Sequence, residues 1–168
     1  MDHPIVLTPI GIIHTPFACL EGMPIQPGGA RDAIGRVELR PELAAGLADL
    51  TGFSHAYLIY CFHKSVGCRL SVIPYMDDTP RGLFATRAPK RPNPIGLSVV
   101  AVVSVAGNIL MVRGIDVLDG TPLLDIKPYA PVFDAPVGPV RNGWLEGKEK
   151  DVAATTRADG RFVCPTKK

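Results

Sequence analysis

Hydrophobic positions along this chain come in short runs, and nearly every run stops at a glycine or a proline. Residues 6–15 are apolar and β-branched and predict a first strand. An irregular MPIQPGG loop follows at 23–29, and residues 35–40 alternate as a short second strand. Residues 55–62, HAYLIYCF, predict a strand buried on both faces. Two shorter strands are expected at 69–73 and 82–86. The clearest pairing signal is a hairpin of 97–105 with 109–118, closed by Ala106-Gly107-Asn108, and residues 123–126 predict one more short strand.

A single segment carries a helical period. Pro41 suits a first turn, Leu43, Leu47 and Leu50 recur at helical spacing, and Gly52 lies just past the end. Residues 41–50 therefore predict a helix. Strands and helices do not alternate, which argues against a doubly wound sheet. Many short strands with one or few short helices predict a mainly β fold, a single small β-barrel or a strongly twisted sheet. We expect one barrel domain over residues 1–140. Residues 141–168, with Trp144 as an isolated aromatic anchor, are expected to pack on that barrel or on a dimer partner.

Composition narrows the class without naming a chemistry. The 168 residues suit one domain, and 20% charged residues with a net charge of +2 are ordinary for a globular chain. No apolar run approaches the ~20 residues of a membrane helix. The N-terminus lacks a basic stretch leading into an apolar one, so a cytoplasmic protein is expected. Cys19, Cys61, Cys68 and Cys164 have no framework spacing and read as buried or partly buried reduced thiols. His3, His14, His55 and His63 show no metal-ligand spacing, so no metal is expected.

Charge distribution says more than net charge. Residues 81–91 hold Arg81, Arg87, Lys90 and Arg91 with no acid, whereas Asp116, Asp119, Asp125 and Asp134 outnumber Arg113 and Lys127 over 113–134. The two segments suit a ligand carrying both signs, or each other.

Within FATRAPKRPNPIG, residues 84–96, Pro89, Pro92 and Pro94 restrict the backbone and pre-aim the side chains between them. Arg87 and Arg91 offer bidentate donors to carboxylate or phosphate, and Asn93 is a candidate for burial. Leu118-Asp119-Gly120-Thr121-Pro122 is a tight turn signal. After it, Asp125, Lys127 and Tyr129 alternate onto one side of an extended segment, and a carboxylate, an ammonium and a phenol gathered there suggest a site. Gln26-Pro27-Gly28 offers backbone donors, and His63-Lys64 closes an apolar strand.

These segments together resemble the TrmO family, also called TsaA-like or YaeB-like. The likeness rests on Pro9-Ile10-Gly11, Thr15-Pro16-Phe17, Gln26-Pro27-Gly28, Phe53-Ser54-His55 and Phe62-His63. It is strongest in Gly82 through Arg87, Arg91 through Gly96, and Asp119 through Tyr129, and it covers roughly residues 5–131 in order. The resemblance implies a homodimeric β-barrel that uses S-adenosyl-L-methionine to methylate the exocyclic nitrogen of threonylcarbamoyl-adenosine beside the tRNA anticodon. It further implies a cofactor site near the subunit interface formed by Gln26, Pro27, Gly28, His63, Lys64, Arg87, Leu97, Leu118, Asp119, Gly120 and Thr121. Some bacterial relatives carry a further C-terminal domain that this chain is too short to include.

The acceptor so implied is a urea-type nitrogen and a poor nucleophile, so a base should assist. Asp125 is the first candidate and His63 the second, with Tyr129 as positioning partner. Arg91, Asn93 and Lys127 are expected on the substrate side. Lys148, Lys150, Arg157, Arg161, Lys167 and Lys168 would extend a basic patch toward tRNA. The alternatives are the same methyl chemistry on a non-tRNA acceptor, or a module that senses a nucleotide-like ligand.

Overall fold

The computed structural model describes residues 3–25, 27–148 and 157–159. Among them lie β1 (Gly11–His14), β2 (Ile34–Leu39), β3 (His55–Cys61), β4 (Ser71–Val72), β5 (Arg81–Gly82), β6 (Ile95–Ala106), β7 (Ile109–Arg113) and β8 (Thr121–Pro128). Six of these close into one barrel in the order β1-β2-β7-β6-β3-β8, with every neighbouring pair antiparallel. β4 and β5 form a separate two-stranded ribbon. Among the described residues no helix is long and apolar enough to cross a membrane.

Alternation fills the barrel. Val37, Leu58, Val100, Leu110, Val112 and Leu123 all point inward and are essentially inaccessible. Gly11 sits where β1 and β2 approach most closely, since a Cβ there would collide with the Glu38 carbonyl oxygen. Leu47 and Leu50, with Leu43 beside them, join this core.

Several expectations need correction. The first strand starts only at Gly11, and Ile5 and Val6 are 89% and 83% exposed, because among the described residues no strand pairs with the backbone ahead of Pro9 and Ile10. The 41–50 segment is a 3-10 turn, Pro41–Leu47, followed by a break and a second turn, Leu50–Gly52. Ala48 is extended and Asp49 is left-handed at φ 63°, so the leucines reach the core without an α-helix. β3 is fully buried only on its inward face, and Tyr57 and Ile59 are half-buried on the other. The expected 82–86 strand is Arg81–Gly82 leading into a 3-10 turn, Leu83–Ala85. β7 stops at Arg113, where Gly114 adopts φ 84°, whereas β8 runs longer than expected. Cys19 and Cys68 are exposed free thiols, Cys61 alone is partly buried, and Cys164 lies outside the described residues.

Beyond the barrel, Pro131–Asp134 forms one helical turn. Trp144 Nε1 donates to the Ala85 carbonyl at 2.7 Å, and Lys148 pairs with Asp77 at 3.2 Å. Residues 157–159 return to the N-terminal segment through Ala158 N to Met23 O (2.7 Å) and Gly22 N to Ala158 O (2.9 Å).

Candidate functional site

A cleft of about 770 Å³ opens beside the barrel, where the chain leaves β3, enters β6 and turns into β8. Its volume suits a nucleoside-sized ligand. The floor is built by Tyr60, Gly96, Leu97, Asp116 and Thr121, with Val117 and Leu118 along one side. Phe84 through Pro89 and Arg91 form a second wall. Met23, Pro24 and Ile25 face it from the N-terminal segment, and Trp144, Leu145 and Ala158 from the C-terminal one.

A hydrogen-bonded chain organises the floor. Tyr60 Oη lies 3.0 Å from Ser98 Oγ, and Ser98 Oγ donates to Asp116 Oδ1 at 2.6 Å. With the serine proton committed to the carboxylate, the phenol donates to the serine. Gly96 makes this geometry possible. It pairs with Tyr60 across β3 and β6, and the Tyr60 ring lies where a Cβ at position 96 would be. Burial pushes the Asp116 carboxyl up to about 6, against the opposing pull of Ser98 and Arg87. Burial likewise raises the Tyr60 phenol far above its usual range, so it stays protonated.

His63 lies at the mouth with Nδ1 3.4 Å from Thr121 Oγ1. Desolvation, aided by the neighbouring Lys64 ammonium, lowers its pKa, which keeps the imidazole neutral near pH 7. Arg87 is exposed on the wall and makes no ion pair among the described residues.

Arg91 also lines the cleft, but its Nη1 donates to the carbonyls of Thr86 (2.9 Å), Ala88 (3.4 Å) and Leu83 (3.5 Å). It staples the wall together, with its guanidinium over the Phe84 ring at 5.6 Å. The turn after β7 is held in a related way. Asp119 Oδ1 accepts from Thr15 N at 2.9 Å, Thr15 Oγ1 donates to the Val117 carbonyl at 2.8 Å, and Gly120 takes φ 73°. Thr15-Pro16-Phe17 and Asp119-Gly120 are thus partners in one turn lock that presents Leu118 and Thr121 to the cleft.

The structure gathers His63, Lys64, Arg87, Arg91, Leu97, Leu118 and Thr121 around one cavity. Asp119 and Gly120 stand behind that wall. Gln26 lies outside the described residues, as do the side chain of Pro27 and the exposure of Gly28. Asn93, expected to be buried, is exposed. Asp125, Lys127 and Tyr129 do share one side of β8, but it is the outer side of the barrel. A register shift after Tyr60–Leu123 places Asp125 opposite half-buried Ile59, and Asp125 pairs with Lys127 at 2.8 Å. Tyr129 packs edge-on against Tyr57 at 5.5 Å. None of the three lines the cleft. Sequence reasoning passed over Tyr60, Ser98 and Asp116. Their signal was a glycine and a serine in alternate positions of an apolar strand, and an acid between two residues, Ile115 and Val117, that are wholly buried.

A closed antiparallel barrel with a mixed-charge cleft at its edge is a ligand-binding class quite unlike the dinucleotide-binding sheet. The chain belongs to the tRNA-methyltransferase O N-terminal domain family, whose model matches residues 12–135. It is 54% identical over 154 residues to a probable S-adenosyl-L-methionine-binding protein of Pyrococcus abyssi, covering 92% of this chain and 83% of that protein. It is 34% identical over 135 residues to the human tRNA (adenine(37)-N6)-methyltransferase, covering 76% of this chain and 31% of the human one. The crystal structure of TrmO from Pseudomonas aeruginosa superposes with a TM-score of 0.71 at 39% identity, covering 84% of this chain and 63% of that one. The chain therefore spans under two thirds of the solved protein's length.

Proposed function

We propose that this chain is an S-adenosyl-L-methionine-dependent tRNA methyltransferase that modifies the exocyclic nitrogen of threonylcarbamoyl-adenosine beside the anticodon. The observation that carries this reading is the cleft itself. Its size, its apolar side of Leu97, Val117 and Leu118 and its Lys64 and Arg87 cations match an adenosine and a carboxylate in one ligand. When bound, that donor supplies an electrophilic methyl group.

The chain's own residues bind and orient. Leu97 and Leu118 offer apolar surface to a base, and Arg87 offers a bidentate partner to a carboxylate or phosphate. Thr121 and His63 fix the mouth, and Arg91 fixes the wall. Of the three catalytic candidates, only His63 belongs to the cleft. Asp125, Lys127 and Tyr129 would meet a reacting group only across a contact between two copies of the chain. A cytoplasmic homodimer is part of the reading, and its dimer contact is supported by the exposed apolar side chains of Val132, Phe133, Val137 and Val140.

The test is to incubate the protein with S-adenosyl-L-methionine and tRNA bearing threonylcarbamoyl-adenosine, then digest the tRNA and weigh its nucleosides. The reading expects a methylated threonylcarbamoyl-adenosine. An unchanged nucleoside alongside normal donor binding would move the chemistry to another acceptor.

A further inference from the structure

We infer that Asp116, presented by Ser98 and Tyr60, is the residue that receives the proton from the acceptor nitrogen. The inference rests on the methyltransferase reading above and adds to it a residue, a role and a charge balance.

Among the described residues Asp116 is the only carboxylate lining the cleft. It is built in. Ser98, 1% exposed, holds Oδ1 at 2.6 Å, and Tyr60, 5% exposed, holds the serine in turn at 3.0 Å. Gly96 is shaped to the Tyr60 ring. A merely structural aspartate has no need of a buried two-hydroxyl relay and an open side on a cavity. Among the described residues, the Tyr60 phenol and the Arg87 guanidinium act on Asp116 electrostatically, and His63, Lys64 and Arg91 are further titratable and charged groups around the cleft.

The step balances. As the nitrogen–carbon bond forms, the carbon–sulfur bond breaks and its electron pair stays on sulfur. The nitrogen sheds its proton to the Asp116 carboxylate. A sulfonium and a carboxylate become a thioether and a carboxylic acid, so two charges vanish in a desolvated cleft. Neutral His63 would instead end as a further cation in a cleft already lined by Lys64, Arg87 and Arg91, which such a cleft disfavours. The raised basicity of Asp116 suits the task, because a carboxylate in the ordinary range would be too weak a base at neutral pH.

The test compares the intact wild-type protein with Asp116→Asn, which keeps the shape and the oxygen that Ser98 contacts. S-adenosyl-L-methionine affinity is read by calorimetry, and single-turnover transfer to threonylcarbamoyl-adenosine tRNA is followed from pH 5 to 8. We expect the variant to bind the donor within about threefold of wild type and to transfer at least a hundredfold more slowly. In wild type the rate should fall about tenfold per pH unit below pH 6, and the variant should lack this limb. A carbon-13 titration of the wild-type carboxyl in the absence of donor and tRNA should show Asp116 protonating near pH 6, and Ser98→Ala should raise that midpoint. Equal rates in the two proteins, or an acid limb removed by His63→Gln but not by Asp116→Asn, would overturn the assignment. So would an Asp116 midpoint near 4, or a variant whose sole defect is weak donor binding. A wild type that transfers no methyl to this tRNA defeats the underlying reading. An active wild type matched by an equally active variant defeats only the role of Asp116.

Discussion

Two groups of polar residues, one on the cleft floor and one on the outer face of β8, look alike in sequence and differ in what they have left to offer. Asp125 and Lys127 are bound to each other at 2.8 Å, and Tyr129 packs edge-on against His55 and Tyr57. The two charges already hold each other, and none of the three residues lines the cleft. Asp116 and Arg87 face a cavity, and the residues supporting them are buried hydroxyls and backbone locks rather than counter-charges. A site differs from a polar surface in that its strong groups are held from behind and left open in front.

The sharpest way to break this contrast is at Gly96. In Gly96→Val the added side chain must displace the Tyr60 ring, which should cost about 1–3 kcal/mol of stability. The same displacement undoes the Tyr60–Ser98–Asp116 chain. Denaturant unfolding would read the first effect, and at least a hundredfold loss of methyl transfer the second. Next in size is Arg91→Lys, because an ammonium cannot reproduce a planar group bonded to the carbonyls at 83, 86 and 88. We expect a loss of about 1–3 kcal/mol and roughly tenfold weaker donor binding as the wall loosens, measured by calorimetry.

A smaller effect concerns the outer strap. Hydrogen bonding from Arg81, with Lys148 assisting, holds the Asp77 carboxyl down at about 2 against its ordinary 3.8. Since this pKa is depressed on folding, its contribution is full above pH 4 and is lost as pH falls toward 2. Trp144, which lies 5.6 Å from Lys148 and 5.8 Å from Arg81, should report that release through its fluorescence. Asp77→Asn should shift the change out of this window. The smallest effect belongs to the outer face, where Lys127→Ala removes an exposed pair and should alter stability by less than about 1 kcal/mol in denaturant unfolding.

The barrel was legible because alternation and turn residues act locally. Residues 97–105 with 109–113 formed the expected hairpin, closed at Gly107. The 41–50 helix was misread because leucine spacing records which residues reach the core, while a 3-10 turn, a break and a second turn satisfy that spacing equally well. Along β8, alternation said correctly that Asp125, Lys127 and Tyr129 share a side. Which side depends on a one-residue register shift between β3 and β8, a property of two strands that neither contains alone. Asp116 was hidden for the opposite reason. It follows β7 in a segment outside any strand, and it meets Ser98, 18 positions away, only because the β6–β7 register that sets Ala101 opposite Arg113 continues past the end of β7.

The most direct measurement is a calorimetric titration of S-adenosyl-L-methionine into the wild type, Gly96→Val and Asp125→Asn. If the cleft is the donor site, wild type and Asp125→Asn bind one donor per chain with matching affinity, and Gly96→Val binds at least a hundredfold more weakly. Undiminished binding by Gly96→Val, with binding lost in Asp125→Asn, would place the donor on the outer face and contradict the account.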